Sequence, residues 1–241
     1  MDRFSRVELI FGVDKFRKIR ESSIAIFGLG AVGYMAAEAL IRTGIGNLTI
    51  VDFDILESSD FNRHLLATEE NIGMSKVEVA KRRLMSINNN AVIEAKEIFF
   101  HMDTADQLFQ RKYDFLIDAI DSLHPKVELI KYCLKIKQPF ISVMGAARRL
   151  DPSLIKISTI NKGQKCRLLK HVRRLLRKEC VYDDFPIVYS EENAKGDIIK
   201  ASTMYYVRGR IRDIIPSCMI VTSTFGLFAA YAAVKFLVEK V

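Results

Sequence analysis

The period of the apolar positions changes along the chain, and that change predicts its elements. Ile24, Ala25, Ile26 and Phe27 form an unbroken apolar run ending at Gly28, while Met35, Ala36, Ala39 and Leu40 recur at helical spacing beyond it. Such a run closed by glycine reads as a buried strand, and the wider spacing as a helix packed on it. Strands are expected at Ser23–Phe27, Leu48–Val51, Val92–Ile98, Phe115–Asp118 and Pro139–Val143. Helices are expected between them at Ala31–Thr43, Lys76–Ile87, Asp103–Phe109 and Lys126–Leu134. The repetition predicts an α/β fold of Rossmann-like type. In such a fold a mostly parallel sheet with right-handed crossovers carries its ligand crevice at the carboxyl ends of the strands.

After Met144-Gly145-Ala146 the pattern changes to a strand (Leu154–Ile160), a basic helix (about Cys166–Arg177) and a short strand (Ile187–Ser190). A polar stretch from Glu191 to Asp213 mixes charge, glycine and weak periodicity, and reads as a mobile loop or crossover. The expected organisation is one unit over 1–241, with a nucleotide-binding core at 1–146 and a C-terminal extension at 147–241. The uncharged run Ser217 to Val234 approaches the length of a membrane span. Ser217, Thr222, Ser223, Thr224 and Gly226 dilute it, so a helix buried on the sheet is favoured over membrane contact.

Composition adds a partner class and a compartment. The 241 residues carry a formal charge of +8, which points to an acidic partner, nucleic acid first and an anionic membrane surface second. Cys133, Cys166, Cys180 and Cys218 are far apart and form no CxxC pair, which argues against a zinc site or disulfide framework and for a reducing cytoplasm. The amino-terminal residues lack the continuous apolar segment of a secretory signal.

Gly28-Leu29-Gly30-Ala31-Val32-Gly33 is a strand-to-helix turn that aims backbone N–H groups and a helix dipole at a phosphate. Some two dozen residues on, Asp52 stands where a carboxylate accepts ribose hydroxyls, in a dehydrogenase and an ATP site alike. Arg63 and Lys76 add positive charge suited to a polyphosphate, and Asp121 suits a bridging magnesium ion. That set argues against a nicotinamide oxidoreductase. Between Lys165 and Lys178, seven Lys/Arg residues flank an apolar stripe of Leu168, Leu169, Val172, Leu175 and Leu176. Such a helix packs one face and offers the other to a phosphate backbone; a plain solvated helix is the competing reading. Tyr205, Tyr206, Arg208 and Arg210 are a weaker extension of that surface.

Gly28-x-Gly30-x-x-Gly33, Val51-Asp52-Phe53-Asp54, Asn62-Arg63, Gly73-x-x-Lys76 and Asp118-Ala119-Ile120-Asp121-Ser122 resemble the signature of the ubiquitin-activating-enzyme-like adenylating superfamily. Arg3-Phe4-Ser5-Arg6 matches that group's opening motif. Gly44-Ile45-Gly46, Ser142-x-Met144-Gly145-Ala146, Leu150-Asp151-Pro152, the basic Val172 to Lys178 segment, Val188-Tyr189-Ser190-Glu191-Glu192 and Ile215-Pro216-Ser217 are similar to its tRNA threonylcarbamoyladenosine dehydratase branch. The resemblance implies ATP-dependent adenylation of a threonylcarbamoyl carboxylate beside a tRNA anticodon, followed by ring closure with net loss of water. It implies phosphate contacts for Gly28, Gly30, Gly33, Arg63 and Lys76, ribose for Asp52, nucleotide contacts for Asp54 and Asn62, and magnesium for Asp121. Arg6 is expected to act in trans in a homodimer. The expected RNA face is Arg148, Arg149, Arg167, Lys170, Arg173, Arg174, Arg177 and Lys178, and a sulfur-transfer protein is a further expected partner. No catalytic cysteine is assigned, Cys166 being the one to test. The chain departs from the branch at Asp60 and His64, where relatives commonly carry Asn and Gln, and at Gln164-Lys165-Cys166-Arg167, which replaces an Asp-Pro turn. Two alternatives are adenylation of a small carrier protein's C-terminus and nucleotide-dependent RNA binding without turnover.

Overall fold

A computed structural model describes residues 2–200, 206–207, 210–211 and 213–239. Its centre is a seven-stranded sheet of β1 (Ser23–Phe27), β2 (Asn47–Val51), β3 (Val92–Lys96), β4 (Phe115–Asp118), β5 (Phe140–Val143), β6 (Ile155–Thr159) and β7 (Pro186–Ser190). The order is β3-β2-β1-β4-β5-β7-β6, parallel throughout except for the antiparallel edge strand β6. From β1 the chain winds outward through β2 to β3, then crosses back to the other side of β1 as β4. This reversal opens a crevice at the carboxyl ends of those strands.

Both faces of the central strands β1, β2, β4 and β5 are covered, which is why they read as near-continuous apolar runs, whereas the edge strands β3 and β6 carry exposed polar positions. Ile24, Ile26, Leu48, Ile50, Ile117 and Ile141 enter one core, with α3 (Ala31–Thr43), α4 (Lys76–Ile87) and α8 (Met219–Glu239). Ala25, Phe27, Leu116, Phe140 and Ile187 enter the other, with α6 (Leu123–Lys135) and α7 (Arg167–Lys178). Strands β6 and β7, from the second half of the chain, extend the sheet begun by the first.

Two helices precede the sheet where none was expected, α1 (Ser5–Phe11) and α2 (Val13–Glu21). Helix α1 buries no residue and α2 buries only Phe16 and Ile19, so neither carries a wide apolar stripe. The helix expected at Asp103–Phe109 is a 3-10 turn, Met102–Thr104, closed by reciprocal His101 and Thr104 bonds, followed by one turn, α5 (Ala105–Leu108). Helix α6 starts before the expected Lys126, with Pro125 in its first turn, where a missing N–H has no helical acceptor to lose. Within the polar stretch after Glu191, Ile199 and Ile214 bridge, and two-residue strands β8 (Tyr206–Val207) and β9 (Arg210–Ile211) pair. Tyr205 and Arg208, and the side chains of Tyr206 and Arg210, lie outside the described residues.

Helix α8 is long and apolar enough to cross a bilayer, yet Val221, Phe225, Ala229, Ala233 and Leu237 are buried and the helix packs along α3. Gly226 permits the closest approach. A Cβ there would stand 2.4 Å from the Val32 carbonyl and 2.9 Å from Met35 Cβ.

Candidate active site

The turn after β1 is shaped by the end of β4. Gly28 has φ +86°, and a Cβ on it would stand 2.7 Å from the Ala119 carbonyl carbon. Gly33 leaves room for the Gly28 carbonyl, which would be 1.9 Å from a Cβ. A Cβ on Gly30, by contrast, would meet nothing within 4 Å, so the middle of the turn faces open space at the start of α3. Its backbone donors and the helix dipole are thereby directed at the crevice.

Asp52 is tied directly to this turn. Its Oδ2 accepts the Leu29 N–H at 2.5 Å, and its Oδ1 accepts the Asp54 N–H at 2.8 Å. Asp54 in turn accepts the Lys76 N–H through its carbonyl at 2.9 Å, and its carboxylate stands 3.6 Å from Lys76 Nζ. Asp60, buried at 6% exposure, reaches the same ammonium at 3.8 Å and accepts from Arg63 Nη2 at 3.0 Å. Asn62 accepts from Arg63 Nη1 at 2.9 Å and donates to the Ser217 carbonyl at 2.8 Å, fastening the loop to the start of α8. Glycine turn, Asp52, Asp54, Lys76, Asp60, Arg63 and Asn62 thus form one connected network.

His64 joins this network from beneath. Leu66 N–H donates to Nδ1 at 3.2 Å, which leaves Nε2 to donate to the Leu29 carbonyl at 2.8 Å. The ring stacks on Tyr34 at 5.7 Å. Burial pushes the imidazole down to about 4, the bond to Leu29 opposing the shift in part. Folded, His64 is neutral until about pH 4; unfolded, it takes a proton near 6.5. Between those values the unfolded chain binds the extra proton, so stability falls as pH falls, by about 3 kcal/mol in all. Urea denaturation from pH 7.5 to 4 is expected to show this loss, and His64→Gln, which retains an N–H for Leu29, to flatten it relative to the parent.

Asp121 is exposed and accepts from Ser122 Oγ at 3.2 Å, just beyond the Ala119-Ile120 segment against Gly28. Arg6 is exposed on α1, outside the network, with no hydrogen bond or ion pair among the described residues. Below the crevice lies a feature that sequence reasoning missed. Lys126, fully buried, donates to Asp118 Oδ2 at 2.7 Å and Ser142 Oγ at 3.2 Å; Ser142 Oγ also donates to Asp118 Oδ2 at 2.5 Å. The pair pins α6 to the ends of β4 and β5. A depression of about 240 Å³ lined by Lys18, Glu21, Ser22, Asp114, Phe236 and Leu237 lies at the opposite, amino-terminal edge of the sheet and takes no part in this site.

The eight expected RNA-facing cations divide. Arg167, Lys170, Arg174, Arg177 and Lys178 are exposed on α7. The other three are turned inward by main-chain acceptors. Arg149 is buried, donating to the Lys165 and Arg148 carbonyls. Arg148 donates to the Lys195 and Gly196 carbonyls, and Arg173 to those of Ile160 and Gly163. Glu192 holds the same loop, accepting the Leu150 and Asp151 N–H groups at 2.8 and 2.9 Å; these bonds and Lys195 outweigh its burial and keep its carboxyl at about 2. Cys166 is buried before α7, and burial first, with the Asp118 charge second, raises the Cys133 thiol.

A doubly wound sheet with an open glycine turn at its reversal point, tied to a strand-end carboxylate and a cation pair, defines a nucleotide-binding α/β protein. The chain belongs to the ThiF family, which it matches over residues 3–240. It is 37% identical over 193 residues to the tRNA threonylcarbamoyladenosine dehydratase of Bacillus subtilis, covering 80% of this chain and 76% of that one. It is 30% identical over 252 aligned positions to the protein of the same name from Escherichia coli, covering 99% and 94%. The crystal structure of the Escherichia coli tRNA N6-threonylcarbamoyladenosine dehydratase in complex with ATP superposes with a TM-score of 0.88, over 99% of this chain and 94% of that one.

Proposed function

We propose that this chain is an ATP-dependent tRNA threonylcarbamoyladenosine dehydratase. The observation that carries the reading is the connected network of glycine turn, Asp52, Asp54, Lys76 and Arg63. It occurs in a chain similar over nearly its whole length to dehydratases of that name. A free carboxylate resists attack at carbon. Its oxygen attacks the α-phosphorus of ATP, pyrophosphate leaves, and the resulting acyl adenylate carries AMP as a leaving group. The neighbouring carbamoyl group then attacks the acyl carbon, a proton is lost, and AMP departs as the ring closes. Attack is intramolecular, so proximity supplies much of the acceleration.

In this reading the backbone N–H groups of Gly30 and Gly33 and the side chains of Arg63 and Lys76 contact the phosphates, where charge gathers in the transition state. The Gly28 N–H is taken by the Val51 carbonyl at 2.9 Å, so Gly28 shapes the turn rather than donating to phosphate. Asp52 receives the ribose hydroxyls. Among the described residues no group of three or more His, Cys, Asp or Glu could hold a metal ion. The single exposed carboxylate of Asp121 fits magnesium arriving on the nucleotide, which is bound by one or two carboxylates plus phosphates. Magnesium so held would neutralise phosphate charge. The exposed cations of α7 present a phosphate-binding stripe that leads from the Gly145 loop along the helix, suited to the tRNA backbone. Arg6, standing free on α1, is suited to reach the site of a second copy in a homodimer. A tRNA substrate suits a cytoplasmic location, and a sulfur-transfer protein is a candidate partner.

The test is to incubate the protein with ATP, magnesium and tRNA bearing the uncyclised threonylcarbamoyl group, and to weigh the nucleosides after mild digestion. Loss of one water from that nucleoside is expected, dependent on ATP and abolished in Asp121→Ala. An unchanged mass with ATP and tRNA both bound would refute the assignment and favour the carrier-protein or non-catalytic reading.

A further inference from the structure

Asp60 is buried, and both of its oxygens face donors that belong to the nucleotide site. Oδ1 accepts from Arg63 Nη2 at 3.0 Å. Oδ2 accepts the Glu57 N–H at 3.2 Å and stands 3.8 Å from Lys76 Nζ. Lys76 is shared with Asp54 at 3.6 Å, and the second nitrogen of the Arg63 fork is spent on the Ser59 carbonyl and Asn62 Oδ1. Two cations therefore stand against two carboxylates. Such a set presents little net positive field to an incoming polyanion, and the carboxylates are close enough to repel it.

We propose that Asp60 is an electrostatic counterweight that sets the affinity of the site for triphosphate. It positions Arg63 and Lys76 through ion pairs that nucleotide phosphate must loosen. The same pairs draw both side chains back when pyrophosphate leaves. The effect grows with the number of phosphate charges, so ATP is bound more weakly than the cation pair alone would allow, and AMP is affected much less. A neutral residue at position 60 exchanges this for tight, slowly reversed binding. The inference rests on reading Arg63 and Lys76 as phosphate ligands.

Calorimetric titration of the full chain with ATP and with AMP, both in metal-free buffer, tests it. Asp60→Asn and Asp60→Ser are expected to bind ATP about tenfold tighter, well under the full Coulomb interaction of unit charges at these distances. Their affinity for AMP is expected to change by less than about twofold, and Asp60→Glu, which keeps the charge, to remain as weak as the parent. Weaker or unchanged ATP binding in both neutral variants would overturn the proposal, because the carboxylate would then only build the loop. If neither neutral variant folds, the unmodified chain decides. Metal-free ATP is expected to bind it within about threefold of AMP, whereas a preference above about 100-fold would show an unbalanced cation pair. An Arg63→Ala titration separates the two levels. Unchanged ATP affinity in that variant would remove the phosphate-ligand reading itself, whatever the outcome at Asp60.

Discussion

Lys126→Met is expected to destabilise the fold by about 3–5 kcal/mol, the usual loss when one member of a buried ion pair is removed. The substitution nearly preserves volume, so little of this arises from packing. It comes from leaving the Asp118 carboxylate, at 0% exposure, with only Ser142 Oγ and the Ile120 N–H as donors among the described residues. The damage lies beneath the crevice, since Asp118 ends the strand whose continuation packs on Gly28. Urea denaturation at pH 7 measures the loss. Asp118→Asn combined with Lys126→Met is expected to recover most of it, because no unpaired charge then remains. A double variant as unstable as the single one would show that the ammonium contributes through contacts other than Asp118.

Lys76→Ala is expected to reduce kcat/KM for ATP-dependent dehydration by at least about 100-fold, the scale set by removing one preorganised donor from a developing negative charge. The affinity for tRNA should be unchanged, because Lys76 lies within the network of Asp54 and Asp60 rather than on α7. Lys76→Arg should rescue little. The ammonium is held between two carboxylates as a compact charge, and the planar guanidinium has a different reach and geometry. Single-turnover formation of AMP, with tRNA binding followed separately, measures both quantities. Equal losses of activity and tRNA affinity would instead place Lys76 in RNA recognition.

Strands β1, β2 and β4 were legible because each is buried on two faces and advertises itself as a mostly apolar run that meets a glycine or an aspartate at its carboxyl end. The glycine turn, Asp52, Asp54, Asn62, Arg63 and Lys76 were legible as residue types at the ends of those strands, and the fold joins them. What escaped was direction. Lys126 reads as the polar start of an amphipathic helix, and no periodicity announces that its side chain turns under the sheet toward Asp118. Arg148, Arg149 and Arg173 count as positive charge in any tally, yet their guanidinium groups satisfy loop carbonyls. Helix α1 went unread because it has no buried face. Asp60 was visible as an unusual residue, but its meaning depends on the two cations that meet it.

The packing of α8 along α3 has a consequence for how the protein is made. Helix α3 and the glycine turn leave the ribosome well before Met219, with strands β2 to β7 between them. At about 5–20 residues per second, roughly 10–35 s pass before the chain that covers α3 has been synthesised. During that interval the apolar side of α3 lacks its partner, and the carbonyl of Val32 lacks the close-fitting Gly226 above it. The helix that carries the nucleotide turn therefore gains part of its packing only when α8 docks. Nascent chains stalled before α8 would expose that surface to chaperones.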